Sequence, residues 1–115
     1  MTTFTLYHNP RCSKSREALA LIEARGVDVT VHRYLDAPLD IAALRALAQR
    51  LEDGVPALVR TNEAQWRSLA LEAPSDDERL QAIAEHPRLM QRPILDDGTR
   101  ARIGRPPAAI LDLIE

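Results

Sequence analysis

Alternation of polar and apolar positions opens the chain. Thr3-Phe4-Thr5-Leu6-Tyr7 alternates β-prone residues, and His8-Asn9-Pro10 breaks the run, which predicts a strand entering a turn. From Ser13 to Arg25 the period changes: Ala18, Leu19, Leu21 and Ile22 recur at helical spacing, and Gly26 follows as a C-terminal stop. Alternation returns from Val27 to Tyr34, with Val27, Val29 and Val31 set against Asp28, Thr30 and His32, so a second strand is expected. Strand, helix and strand in this order predict a parallel, right-handed β-α-β unit.

The middle of the chain reads as helical. Asp40 is placed to cap a run with Ile41, Leu44, Leu47, Ala48 and Leu51 on one face, and Ser75-Asp76-Asp77-Glu78 opens another through Leu80, Ile83 and Ala84. Val55 to Val59 and Glu63 to Leu71 read as shorter helical pieces. After Pro87, Arg92-Pro93-Ile94-Leu95, the turn Asp96-Asp97-Gly98 and Ala101-Arg102-Ile103 predict a β-hairpin, and a last helix is expected from about Pro106 to Ile114. The fold class is therefore α/β: a thioredoxin-like β-α-β / β-β-α domain spanning 1–115, with a helical insertion at about 40–86 between its halves.

Composition narrows the function classes. With 115 residues the chain buries roughly two-thirds of the surface its unfolded form exposes, enough for one core without a covalent staple. Apolar residues are 45% of the chain but aromatics only 3%, so Leu, Ile, Val and Ala must build that core, with Trp66 and Phe4 as isolated large pieces. A net charge of −2 argues against broad binding to nucleic acid or to an anionic membrane surface, while leaving room for a local basic pocket. No basic segment followed by an apolar stretch begins the sequence, and no apolar run approaches a bilayer span, so a cytoplasmic location is expected. The single cysteine excludes an internal disulfide, an iron–sulfur cluster held by the chain's own thiolates and a cysteine-rich zinc site. Any redox partner thiol must come from another molecule.

That cysteine, Cys12, falls just after the strand and proline turn, where the next helix begins. Free N–H groups in a helix's first turn and the positive end of its dipole favour a thiolate, and they would also bind an oxyanion. Ser13 and Ser15 are placed to donate hydroxyl hydrogen bonds to the sulfur. Arg11, Lys14 and Arg16 add positive charge nearby, and His8 is close enough in sequence to reach the turn. A free cysteine is commonly a buried small hydrophobe, but flanking Pro, Ser, Lys and Arg residues make an apolar site improbable here. A lone histidine is more often surface-exposed or hydrogen-bonded than catalytic, and the basic residues could equally form a solvated helix face. A phosphatase loop, which needs an arginine six positions after the cysteine, is excluded because Ala18 stands there.

His8-Asn9-Pro10-Arg11-Cys12-Ser13-Lys14-Ser15-Arg16, Leu58-Val59-Arg60-Thr61-Asn62-Glu63, His86-Pro87, Gln91-Arg92-Pro93-Ile94 and Gly104-Arg105-Pro106-Pro107, in that order, resemble the signatures of the glutaredoxin-dependent arsenate reductases. The resemblance implies a catalytic Cys12 nucleophile, oxyanion binding by Arg60, Arg92 and Arg105, supporting roles for His8 and Ser15, and a cis-proline at Pro93 opposite the cysteine. It further implies reduction of arsenate to arsenite through a covalent Cys12 intermediate resolved by glutathione and glutaredoxin. Arsenate or a similar oxyanion, glutathione as co-substrate and glutaredoxin are thus the expected partners of a monomer with no tightly bound cofactor and no metal. Guanidinium groups suit such a substrate because they stay charged and present paired donors to a tetrahedral anion. Arg11 departs from the family pattern, where a smaller residue is common, and bears on access to the cysteine.

Two other readings stay open at this level. One is a glutathione-dependent thiol reductase of another substrate. The other is an RNA-polymerase-binding regulatory module, as in a related branch of the fold; that branch carries Cys-X-X-Cys, whereas Ser15 occupies the second position here.

Overall fold

The computed structural model describes residues 3–114. Strand β1 (Phe4–Tyr7) leads through a turn into helix α1 (Ser13–Ala24) and strand β2 (Val29–His32). Helices α2 (Ile41–Arg50), α3 (Val55–Leu58), α4 (Ala64–Ser68) and α5 (Asp76–Glu85) follow, before strands β3 (Ile94–Asp96) and β4 (Ala101–Ile103). Short 3-10 turns cover Pro87–Leu89 and Pro107–Leu113. Among the described residues no helix is long and apolar enough to cross a membrane.

The sheet order is β2-β1-β3-β4. β1 pairs parallel with β2, Phe4 opposite Val29, and antiparallel with β3, Leu6 opposite Leu95. β3 and β4 form the expected hairpin, with Leu95 opposite Arg102. Because successive strand residues point to opposite faces, the sheet divides two cores. Leu6 and Leu95 pack with Ala18 and Ile22 of α1 and with Ile110 and Leu113. Tyr7 and Ile94 pack with Leu44, Leu47, Leu58, Leu80 and Ile83 of the inserted helices. The result is the thioredoxin-like order expected from the sequence, with the helices between β2 and β3 covering one face.

Helix ends follow their capping chemistry. Asp40 accepts from the Ala43 N–H at 2.8 Å, and Ser75 and Glu78 form a reciprocal capping box at 3.1 and 3.0 Å. Gly26 ends α1 at φ +67°, a conformation that side chains resist. A bidentate pair from Arg50 to Asp96, at 2.9 and 2.6 Å, ties the end of α2 to β3.

Several expectations need correction. The second strand stops at His32, because Asp36 and Ala37 both donate to the Arg33 carbonyl at 3.0 Å and turn the chain, sending Tyr34 into the core. Val31 stays 40% exposed because β2 is an edge strand. Asp96 belongs to β3, and the turn closes from Asp97 to Arg100, whose carbonyl accepts from the Asp97 N–H at 2.9 Å. The expected last helix is present, in 3-10 form, at Pro107–Leu113. Pro107, Ile110 and Leu113, spaced by three, are all buried, the period at which a 3-10 helix aligns its side chains. Trp66 and Phe4 only pack against the cores from outside, and the largest fully buried side chain is Tyr34.

Candidate active site

The turn between β1 and α1 is built by local hydrogen bonds. Asn9 Oδ1 accepts from the Arg11 N–H at 3.0 Å, and the Cys12 N–H donates to the Asn9 carbonyl at 3.0 Å. Cys12 itself is the N-cap residue of α1, with extended backbone angles, and its carbonyl accepts the first helical bond, from Arg16, at 3.0 Å. Its side chain is part-buried and is the free thiol of the chain.

Two arginines from distant parts of the sequence meet this sulfur. Arg105, just beyond β4, points Nη2 at Cys12 Sγ across 3.9 Å, while its Nε donates to the Arg92 carbonyl at 3.1 Å. Arg92, just before β3, brings its guanidinium near enough to the sulfur to favour the thiolate. The Arg92-Pro93 bond is cis, as is Arg105-Pro106, which the sequence reading did not anticipate. Gly104 holds the two arginine-bearing segments together: its N–H donates to the Pro93 carbonyl at 2.8 Å, and a Cβ there would lie 2.7 Å from Pro93 Cγ.

Burial pushes the Cys12 thiol up, but the backbone N–H of Ser15, the guanidinium of Arg92, and the N–H of Lys14 outweigh it. The net pKa lies below the ordinary cysteine value. The serine hydroxyls do not supply this stabilisation. Ser15 is buried and its Oγ accepts from the Asn9 N–H at 3.4 Å, while Ser13 is exposed. Nor do the nearby basic side chains: Arg16 turns to the Pro10 carbonyl at 3.0 Å, and Arg11 and Lys14 are exposed. The helix start acts through its backbone, and the charge comes from the guanidinium groups of Arg92 and Arg105.

Arg60 is brought into a cavity lining shared with Arg92. Its N–H donates to the Leu89 carbonyl at 2.7 Å and its Nη1 is ion-paired with Glu63 Oε1. With Arg92, Asn9, Tyr34 and Arg88 these two residues line a cavity of about 70 Å³. Tyr34 was not singled out by the sequence, because it reads as the end of a strand. Burial drives its hydroxyl up to about 12, against the opposing charge of Arg92 and a hydrogen bond with the Asn9 side chain. It therefore remains a neutral hydroxyl at physiological pH, close enough to Cys12 and Arg105 to sense both charges. Arg88 was likewise missed, since a lone arginine in a 3-10 turn carries no pattern.

His8 is buried with Nδ1 unpaired, and burial, reinforced by Arg33 and Arg16, lowers its pKa. Its backbone N–H extends the β1–β2 pairing by donating to the His32 carbonyl at 2.9 Å. The described residues include no group of three or more His, Cys, Asp or Glu arranged to hold a metal ion. The constellation is a stabilised thiolate flanked by guanidinium donors, which can attack an electrophilic centre in an oxyanion while neutralising its charge.

A family model described as the ArsC family matches residues 7–113. An arsenate reductase from Haemophilus influenzae is 40% identical over 112 residues, covering 95% of this chain and 97% of that protein. The Escherichia coli protein YfgD, described as uncharacterized, is 42% identical over 95% of this chain and 94% of its own length. Among solved structures, an arsenate reductase from Vibrio cholerae superposes with a TM-score of 0.90 at 40% identity, over 96% of this chain and 97% of that one.

Proposed function

The chain belongs to the ArsC family, and from that premise we propose that it reduces arsenate to arsenite through a covalent intermediate on Cys12. The observation that carries this reading is the approach of Arg105 and Arg92 to the sulfur of a cysteine at a helix start. Arsenate entering there meets fixed donors and a thiolate together. Cys12 Sγ attacks arsenic(V), and an arsenate oxygen leaves as water after protonation, giving a sulfur–arsenic bond. Arg92, Arg105 and Arg60 are the proposed holders of the remaining oxygens.

Reduction then needs two electrons, and this chain has one thiol. Glutathione replaces a second arsenic hydroxyl with its own sulfur. A glutaredoxin thiol attacks that glutathione sulfur, forming a mixed disulfide and leaving the electron pair on arsenic, which becomes arsenic(III). Hydrolysis of the Cys12–arsenic bond releases arsenite and restores the thiol. His8 and Ser15 serve the turn, through strand pairing and the Asn9 contact, and Pro93 carries Arg92 into place. The cytosol, where glutathione is available and thiols stay reduced, is the compartment this chemistry suits.

The test is arsenate-dependent oxidation of NADPH, coupled through glutathione, glutaredoxin and glutathione reductase. Turnover that requires arsenate and both thiols, and that vanishes in Cys12→Ser, is expected. Glutathione-dependent turnover of another substrate with no response to arsenate would overturn the substrate assignment.

A further inference from the structure

The cavity beside the cysteine turn carries a charge that simple anion binding does not call for. Arg60, Arg88 and Arg92 line it, which suits an oxyanion, but so does the carboxylate of Glu63. Glu63 is the N-cap residue of α4 and its side chain makes no cap hydrogen bond. It turns instead to Arg60, in a pair whose side chains are only 15% and 24% exposed. Arg60 engages Oε1, and the carboxylate, which has capacity to accept further hydrogen bonds, is part of the cavity lining.

A carboxylate at this position distinguishes ligands by their protons. It accepts hydrogen bonds and cannot donate one, so it repels an oxyanion that is fully ionised. Toward an oxyanion that keeps a hydroxyl it becomes a partner, because the O–H donates to it in a charge-assisted bond. Arsenate and phosphate retain at least one hydroxyl at neutral pH. Sulfate and selenate, with the same tetrahedral shape, retain none. The three guanidinium groups and one carboxylate leave the cavity lining at +2, the complement of a singly protonated arsenate or phosphate dianion.

We infer that Glu63 is a specificity residue, admitting tetrahedral oxyanions that carry a proton and rejecting those that do not. The inference rests on the oxyanion reading of the Cys12 site. Discrimination here comes from an unfavourable contact built against the competitor, in addition to the attraction shared by both ligands.

Protection of Cys12 from alkylation tests it, with phosphate, arsenate, sulfate and selenate compared at matched ionic strength. Phosphate and arsenate are expected to protect the wild-type protein at concentrations about tenfold or more below those of sulfate and selenate, a modest figure for like-charge exclusion because the carboxylate is partly solvated. Glu63→Gln should close most of that gap by strengthening sulfate and selenate. The four-anion comparison in wild-type protein stands on its own if the variant folds poorly: phosphate resembles sulfate in size and arsenate resembles selenate, so a preference that follows size rather than protonation overturns the inference. So does a ratio unchanged in folded Glu63→Gln. If none of the four anions protects Cys12, the oxyanion reading fails and the inference with it. If all protect alike, only the selectivity fails. Preference through Glu63 without arsenate reduction would uphold the inference and remove the substrate assignment.

Discussion

Gly104→Ala probes the junction that holds both arginine segments. The added Cβ would stand 2.7 Å from Pro93 Cγ and 3.2 Å from Ile110 Cγ2, against an ordinary contact of at least 3.4 Å. The first gap must therefore open by about 0.7 Å. The Gly104 N–H bond to the Pro93 carbonyl, at 2.8 Å, opposes that movement, and Ile110 is fully buried on the other side. Overpacking of this kind costs about 1–3 kcal/mol, and for a chain of this size the Tm should fall by about 5–15 °C. The displacement also reaches the site, because Arg105 follows Gly104 and Arg92 precedes Pro93. Alkylation rate against pH should then show the Cys12 midpoint moving up. Gly26→Ala is the control. No atom lies within 4 Å of its Cβ position, but φ is +67°, so it should lose about 1–2 kcal/mol through backbone strain and leave the thiol midpoint unchanged. A Gly104→Ala protein with the parental Tm and parental thiol midpoint would refute the reasoning.

Arg92→Met should raise the Cys12 midpoint toward the ordinary thiol value, because the Arg92 guanidinium favours the thiolate, and Arg105→Met should raise it too, since Arg105 Nη2 lies 3.9 Å from the sulfur; midpoints unchanged in both would count against this. The linked stability has a definite sign. A depressed native pKa contributes stability that is fully present above the unfolded thiol's pKa and is lost as pH falls through the native one, so urea midpoints measured across that window should flatten in Cys12→Ser. Arg50→Met leaves Asp96 buried without its guanidinium partner, the Gly98 N–H still donating to Oδ1 at 2.9 Å. Removing one member of a buried pair costs about 3–5 kcal/mol, and because Arg50 is 25% exposed the expected loss is nearer 2–3 kcal/mol by urea unfolding, with thiol reactivity untouched. An unaltered urea midpoint would show that the pair does not clamp α2 to the sheet.

Local signals carried much of the fold. Gly26, Asp40 and the Ser75–Glu78 box each mark a helix end by side-chain or backbone chemistry acting within a few residues, and each sits where expected. The 3-10 form of Pro107–Leu113 was legible only in hindsight, since a spacing of three fits both helix types over so few residues. The site was harder to read. Cys12 at a helix start follows from strand, proline turn and helical period, but the approach of Arg105 across 93 positions depends on the β3–β4 hairpin and came from family resemblance alone. Tyr34, Glu63 and Arg88 carry no functional role in the sequence reading because their meaning lies in a shared cavity, which no spacing along the chain encodes. The serine hydroxyls misled for a related reason: Ser15 faces inward from the helix and leaves its backbone N–H, not its side chain, to serve the sulfur.

The central claim is that Cys12 bonds to arsenic during turnover. Incubating the protein with arsenate and glutathione, without glutaredoxin, should stop the reaction before the final thiol attack. Mass spectrometry of the peptide containing Cys12 should then show a mass increase corresponding to arsenic plus glutathione, absent when arsenate is omitted and absent in Cys12→Ser. Arsenite released by the complete system while Cys12 remains a free, fully alkylatable thiol throughout would contradict the account.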